Sequence, residues 1–281
     1  GLIMNIVLDP LFIFGFGLGT NGAAYATWLS QATVFAIFIY QLRFRKDALL
    51  GGFPFFSRLK KKYTRRILKL GLPVATLNTL FAFVNMFLCR TASEQGGHIG
   101  LMTFTTGGQI EAITWNTSQG FSTALSAFIA QNFGARKEER IRKGVKSALI
   151  TTVLFSLVIS ILVFLFAKPL MLIFVRPHET EILNIGISYL RIEGAFYCGI
   201  GILFLLYGYY RAIRMPGMSV VLTVVSLGTR VALSYWLAGI PAIGVIGIWW
   251  SIPIGWFIAD VIGIIYYKQL KKETAKEVPA P

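Results

Sequence analysis

The sequence has little charge and almost no cysteine or histidine. Charged residues make up 14% of the 281 residues and hydrophobic residues 55%, which is too apolar a composition for a soluble domain. The two cysteines, Cys89 and Cys198, form neither a disulfide framework nor a metal-ligand spacing. His98 and His178 both fall in predicted outer loops, without a partner that would indicate a metal. A glycine-rich phosphate loop with Lys and Ser or Thr is also missing, which argues against ATP as the energy source within this chain.

Long apolar runs recur along the whole chain and predict an all-α, polytopic membrane protein. The first run begins inside a helix, with Gly1 and without a basic segment before it, so it does not resemble a signal peptide. We therefore expect that an N-terminal part of the protein precedes this sequence. About eight helices are predicted, at residues 1–14, 22–41, 67–90, 99–132, 147–167, 185–210, 218–238 and 244–267.

The net charge of +15 could indicate a nucleic-acid partner, but the positions of the basic residues argue against it. Most of the 27 lysines and arginines lie in residues 43–69, 136–146, 211–214 and 268–276. These are alternate connections between apolar runs, which is the positive-inside pattern of membrane proteins. The pattern predicts a multi-pass protein of the cell membrane with a cytoplasmic linker at 42–66 and a cytoplasmic tail at 269–281.

Asn5 and Asp9 are the polar residues of an otherwise apolar first helix, and their spacing of four places them on one helix face. A carboxylate in such a segment is costly and usually marks an ion or proton site. Pro10 removes a backbone donor and frees a carbonyl one turn earlier. Together these groups could hold a small cation. The alternative is a helix end at which Asp9 meets interfacial water.

The predicted helix at 99–132 is unusually polar, so much of it should face a cavity or another helix. We expect Gln109, Glu111, Trp115 and Asn116 to belong to such a cavity. Glu111 is either a proton- or cation-binding group or a structural carboxylate.

Three further charges lie in later helices, and Arg191 or Arg230 could pair with Glu111 if that carboxylate is structural. Arg191 and Glu193 are two residues apart, so they cannot face each other on a helix. We expect all three (Arg191, Glu193 and Arg230) to be candidates for the same cavity.

The first two and the last two predicted helices resemble each other, with small-residue starts at Gly22–Thr27 and Gly244–Trp249. Both pairs have the same orientation, and four helices lie between them. This arrangement predicts two six-helix halves related by a parallel repeat, which is a transporter architecture. The chain would then contain the end of the first half and the whole of the second.

Four segments of the sequence resemble the multidrug and toxic compound extrusion (MATE) transporters. They are residues 5–13 with 22–27, residues 69–73, residues 120–136 and residues 228–231, and the Gln-Asn-x-Gly-Ala run at 131–135 is the most specific. The resemblance implies that 1–41 are the last two helices of an N-lobe and that 67–268 form a six-helix C-lobe.

The resemblance also implies export of an organic cation in exchange for inward H⁺ or Na⁺, without a cofactor. Asn5, Asp9 and Thr27 match the positions of the coupling site, and Asp9 and Asn5 would be metal ligands if the ion is Na⁺. An aspartate of an earlier helix, which completes that site in the family, is not in this sequence. Other branches place a carboxylate in the first C-lobe helix, and residues 72–89 contain none.

We therefore expect a secondary active efflux transporter, not an enzyme, that acts as a monomer in the lipid bilayer on small organic cations. One alternative is a lipid-linked saccharide flippase of the same superfamily, which would need a strongly cationic cavity. A membrane-embedded transferase would need clustered aspartates or a His/Asp pair. A structural or receptor-like bundle would leave Asn5, Asp9 and Thr27 unexplained.

Overall fold

The computed structural model describes residues 2–44 and 61–277, and the secondary structure in these ranges is helical. The chain divides into two compact units, Gly1–Thr64 and Arg65–Pro281. Among the described residues, five helices are long and apolar enough to cross a bilayer, and a bent pair of helices forms a sixth candidate. The described residues therefore have the all-α polytopic fold that the sequence predicts. Most of the predicted linker, from residue 45 to 60, lies outside the described residues.

Unit 1 contains two helices joined by a tight turn. Helix α1 spans Leu2–Pro10, a π-helical turn follows at Leu11–Gly15, and α2 spans Gly19–Phe44. The widened turn directly follows Pro10, which cannot donate a backbone hydrogen bond and therefore disturbs the regular α-helical pattern.

Gly22 lets α2 approach the backbone of the π-helical turn. A Cβ atom added at Gly22 would lie 2.8 Å from the carbonyl oxygen of Phe12, so only glycine fits here without a shift. Gly17 and Gly19 have φ angles of 65° and 55°, in the left-handed region that glycine adopts readily. These glycines thus fix how the beginning of α2 packs against the end of the first helical segment.

Unit 2 begins with a helical hairpin, α3, which spans Lys61–Gly134 and breaks at Gly97 (φ 57°, ψ −147°). The chain reverses at this break, because Gly100 contacts the carbonyl oxygen of Ala92. Further from the break, the rings of Phe81 and Trp115 contact each other with centroids 4.9 Å apart. A single glycine therefore replaces the predicted outer loop at 94–98, and the two halves of α3 run side by side.

The remaining helices of unit 2 pack around this hairpin. They are α4 (Glu138–Leu165), α5 (Ala167–Leu172), α6 (Thr180–Ala195), α7 (Tyr197–Ala212), α8 (Pro216–Ala238) and α9 (Ile246–Glu277).

Two of these helices differ from the prediction. The predicted helix at 185–210 is a pair, α6 and α7, bent by 51° at Phe196, where the N–H of Phe196 bonds to the carbonyl of Glu193 at 3.0 Å. The last helix continues to Glu277, ten residues beyond the predicted end. Residues 268–277 contain neither Gly nor Pro, so no residue in this stretch interrupts the helix.

Small residues allow the helices of unit 2 to pack closely, as is usual where lipid gives no hydrophobic drive to association. A Cβ atom at Gly255 of α9 would lie 2.6 Å from the carbonyl oxygen of Ser226 of α8. An aromatic cluster fills the interior, with Trp249 stacked on Phe104 at 5.9 Å and edge-on to Tyr189 at 4.8 Å. The polar side chains in the interior of unit 2 pack against this aromatic cluster.

Candidate functional site

In unit 1 the structure brings together the three residues that the sequence singles out. The side-chain amide of Asn5 donates to Asp9 Oδ1 at 3.4 Å and lies 3.4 Å from Thr27 Oγ1. Asn5 and Asp9 are half-buried, whereas Thr27 is exposed on α2. The contact with Asp9 follows from the four-residue spacing on α1, and the contact with Thr27 follows from the close approach that Gly22 permits. We call Asn5, Asp9 and Thr27 the unit 1 cluster.

The unit 1 cluster offers oxygen atoms to a small cation. A carboxylate, a hydroxyl and, if the amide turns over, a carbonyl oxygen are neighbours here, and hard cations prefer such ligands. The missing N–H of Pro10 leaves the carbonyl of Ile6 without its usual helical partner, which adds one more acceptor on the same helix. A proton on Asp9 could serve the same purpose, since it also neutralises the carboxylate.

Unit 2 contains a cavity of about 440 Å³ between the α3 hairpin and helices α6 to α9. Its walls are mostly aromatic and aliphatic. Four of the predicted residues line it: Gln109, Glu111, Trp115 and Arg230.

Glu111 is fixed by a tyrosine from another helix. The hydroxyl of Tyr189, on α6, donates to Glu111 Oε2 at 2.9 Å. The tyrosine is itself held in the aromatic cluster and is 1% exposed. Glu111 Oε1 is buried and has no hydrogen-bond partner among the described residues. The Glu111 carboxyl group also interacts with the side chain of Glu193.

Glu193 is the most deeply buried acid of the described residues and is 0% exposed. It lies within electrostatic range of Glu111 and Arg230. The Glu193 carboxyl group also interacts with the side chain of Tyr189, and Nε of Arg230 has no hydrogen-bond partner in the described part of the chain. The Arg230 guanidinium instead covers the ring of Trp256, 5.2 Å from its centroid, an arrangement that stabilises a cation.

Glu111, Glu193 and Arg230, which we call the unit 2 cluster, contain more acid than base. If both carboxyl groups are ionised, one guanidinium leaves an excess negative charge that is costly inside a membrane protein. Buried polar atoms without partners usually mark a missing ion, water or proton. The cluster can therefore hold one additional positive charge, either a proton shared by the carboxyl groups or a cation in the cavity.

Three predicted cavity residues do not line the cavity: Glu193, Asn116 and Arg191. Of these, Glu193 lies within electrostatic range of Glu111. Asn116 is exposed and does not line the cavity. Arg191 is exposed on the opposite face of α6 from Glu193 and lies over the ring of Phe164, 5.3 Å from its centroid. Its guanidinium therefore packs on α4 instead of pairing with Glu111.

Sequence reasoning missed five aromatic residues of the cavity: Phe81, Phe104, Tyr189, Tyr197 and Trp256. Tyr189 lies four residues before Glu193, so the two side chains share a helix face. This spacing could have identified Tyr189 from the sequence. Trp256 could not be found in this way, because only packing places it against Arg230. Among the described residues, no three His, Cys, Asp or Glu side chains lie together as a metal site would require.

Comparison with protein families gives one match that covers more than half of the chain. The family model described as MatE matches residues 73–236. A curated relative, the probable multidrug resistance protein NorM of Thermotoga maritima, is 28% identical over 272 residues, which are 92% of this chain and 55% of the relative. The FAD transporter of Shewanella oneidensis is 26% identical over 229 residues, 80% of this chain and 50% of the relative. The chain thus spans about half the length of these relatives.

Solved structures share the same fold. A MOP-superfamily transporter from Pyrococcus furiosus, for which reverse polarity of the binding pocket suggests a different function, superposes with a TM-score of 0.88 at 25% identity. The match covers 98% of this chain and 61% of that one. The similarity therefore extends over both units.

Proposed function

The chain belongs to the MatE family of membrane transporters, and we propose that it exports an organic cation in exchange for H⁺ or Na⁺ by alternating access. The family match makes the protein a multi-pass membrane transporter and not an enzyme. The substrate, the coupling ion, the monomeric state and the cytoplasmic C-terminus are part of the proposal.

The charge around the unit 2 cavity is the observation that carries this proposal. Glu111 and Glu193 outnumber Arg230, and the walls contain Trp115, Trp256 and other aromatic side chains. Aromatic faces and carboxylates are the groups that recognise a lipophilic cation. The cavity of about 440 Å³ falls within the range of small-molecule sites.

An anionic substrate is the second candidate, because one relative is named an FAD transporter. Such a substrate, or the lipid-linked saccharide of a flippase, would need a cavity rich in basic side chains. Within the described residues, Arg230 is the basic side chain that lines the cavity, and Glu193 and Glu111 both lie within its electrostatic range. The balance of charge therefore favours a cation.

The unit 1 cluster is our candidate for coupling. Binding of H⁺ or Na⁺ at Asp9, with Asn5 and Thr27 as neighbours, would neutralise the one acid of α1. An ion drives transport only if it binds the outward and inward states with different affinities. Protonation or Na⁺ binding changes the cost of burying Asp9, and so it can favour one of the two states.

The experiment measures efflux of the fluorescent cation ethidium from energised proteoliposomes under imposed H⁺ or Na⁺ gradients. We expect gradient-driven efflux by the wild-type protein and its loss in Asp9→Asn, because the amide cannot exchange a proton or balance Na⁺. The control is Glu139→Gln, which removes a carboxyl group that is exposed and paired with Lys143 at 2.7 Å. Wild-type efflux by Asp9→Asn would remove Asp9 from the mechanism, and absence of dye movement under either gradient would favour a flippase.

A further inference from the structure

Asp260, on α9, is a buried acid that the proposed transport mechanism does not use. It is 6% exposed and lies outside the lining of the cavity. Its Oδ1 atom is buried and has no hydrogen-bond partner among the described residues, and neither ion pair of that part of the chain involves it. An ionised carboxylate without a cation or donors is too costly in such surroundings. A proton on the Asp260 side chain would remove this cost.

A buried tyrosine of α7 interacts with Asp260. Tyr207 of α7 is within electrostatic range of both Asp260 and Arg230. Its side chain is 2% exposed, and its buried hydroxyl lies beside the side chain of Thr223. Arg230 in turn neighbours Glu193 and Glu111. Tyr207 and Arg230 thus relate Asp260 electrostatically to the unit 2 cluster.

The helices packed against α9 turn few other charges toward this region. The titratable or charged groups that they contribute include Tyr207, Tyr210 and Arg211 from α7, Arg230 from α8 and Glu193 from α6, and the hydroxyl of Tyr210 donates to the carbonyl of Gly263 at 2.7 Å. The guanidinium of Arg211 is engaged elsewhere, because it bonds to the carbonyl of Tyr207 at 3.1 Å and to Ser122 Oγ at 3.0 Å.

We propose that Asp260 is a proton-exchange group of the transport cycle, with Tyr207 as the hydroxyl that connects it to the unit 2 cluster. When water reaches the carboxyl group, its O–H bond breaks, the proton passes to water and the carboxylate remains. On return, a proton moves to Asp260 either from water or from the Tyr207 hydroxyl, which in the same step takes a proton from a carboxyl group of the unit 2 cluster. Nothing is oxidised or reduced, and the proton that drives transport is the only species transferred.

Gly199 of α7 provides the space beside this carboxyl group. A Cβ atom at Gly199 would lie 3.7 Å from Asp260 Oδ2 and 3.5 Å from Trp256 Cβ, which are ordinary van der Waals contacts. Gly199→Ala therefore fills the space without a clash, and it reduces access of water without changing any charge. This variant tests the access of water to Asp260 while the carboxyl group itself is kept.

The first test is infrared spectroscopy of the protein in lipid bilayers, with ¹³C-labelled aspartate. The aspartates of this sequence are Asp9, Asp47 and Asp260, and loss of a shifted carboxyl band in a variant of one of them assigns that band. We expect a protonated carboxyl band that changes with pH, shifts in D₂O and is lost in Asp260→Asn but not in Asp9→Asn. A wild-type protein without such a band, or with one that does not change with pH, would refute the proposal even if the variants fail to fold.

The second test is H⁺-driven ethidium efflux, and this arm alone rests on the proposed function. In Asp260→Asn, which imitates the protonated form permanently, we expect efflux to fall to about a tenth or less while equilibrium binding of ethidium is kept. Tyr207→Phe and Gly199→Ala should change the pH profile of efflux in the same direction, more weakly. Efflux by Asp260→Asn with the wild-type rate and pH profile would overturn the proposal. If the wild-type protein transports no dye, the infrared result still decides whether Asp260 exchanges protons.

Discussion

Replacing Glu111 by Gln tests whether the unit 2 cavity binds cations. The change removes one negative charge but keeps the size of the side chain and its contact with the Tyr189 hydroxyl, which is 2.9 Å from Oε2. If Glu193 and Arg230 are both ionised, the unit 2 cluster of this variant has one carboxylate and one guanidinium and is neutral. A cation in the cavity loses its attraction to Glu111, whereas an anion loses a repulsion.

The expected size of the effect follows from the charges. A cationic group about 4 Å from a carboxylate gains about 4 kcal/mol at an effective dielectric constant of about 20. Because Glu111 is only half-buried and water enters an open cavity, we expect a smaller loss. An increase of about tenfold or more in the Kd for ethidium, which corresponds to about 1.4 kcal/mol, is the minimum that the reasoning requires.

Ethidium binding to the protein in lipid nanodiscs, measured by fluorescence anisotropy at two salt concentrations, checks this expectation. Glu94→Gln is the matched control, because it removes the same charge from an exposed side chain that pairs with Arg90. Equal affinities of wild-type protein and Glu111→Gln, with unchanged folding, would refute the assignment. Tighter binding of FAD by Glu111→Gln, together with weak ethidium binding by both proteins, would instead support an anionic substrate.

Two further predictions concern stability. Gly107→Ala should destabilise the protein by about 1–3 kcal/mol, because the added methyl group overlaps the Tyr189 ring. In the control Gly108→Ala the added methyl group meets nothing within 4 Å, so the Tm should stay unchanged. Equal Tm values for the two variants would contradict the packing of Tyr189 against Gly107. Glu139→Gln should also leave the Tm unchanged within error, because both side chains of its pair with Lys143 are exposed. A clearly lower Tm of the variant would show that this pair contributes more to stability than its exposure implies.

The polar residues of α1 were predictable, because their geometry is local. A spacing of four residues on a helix fixes that Asn5 and Asp9 share a face, and the structure places them 3.4 Å apart. Thr27 entered through family resemblance, and its contact with Asn5 depends on the turn between α1 and α2. Their role in coupling stays a prediction.

The break between α6 and α7 was not predictable from the residues at the bend. Phe196 is an ordinary helix former and no proline lies nearby, so the hydropathy pattern continues through it. The bend instead accompanies packing on either side, where Gly194 meets Val163 at 3.0 Å and Gly199 faces Trp256. Such contacts depend on residues that are distant in the sequence.

The sequence by itself determined that the chain is a bundle of membrane helices and which family it resembles, since apolar length, charge-free runs and short motifs are local properties. Only the tertiary structure decided which polar residues of unit 2 face one another. Glu111 turns inward and Asn116 outward, and Glu193 is buried while Arg191 packs on α4. The reason is that lipid and protein interior are almost equally apolar, so hydropathy does not distinguish the two faces of a membrane helix. Packing alone brings Tyr189, Arg230 and Trp256 from three helices to one cavity.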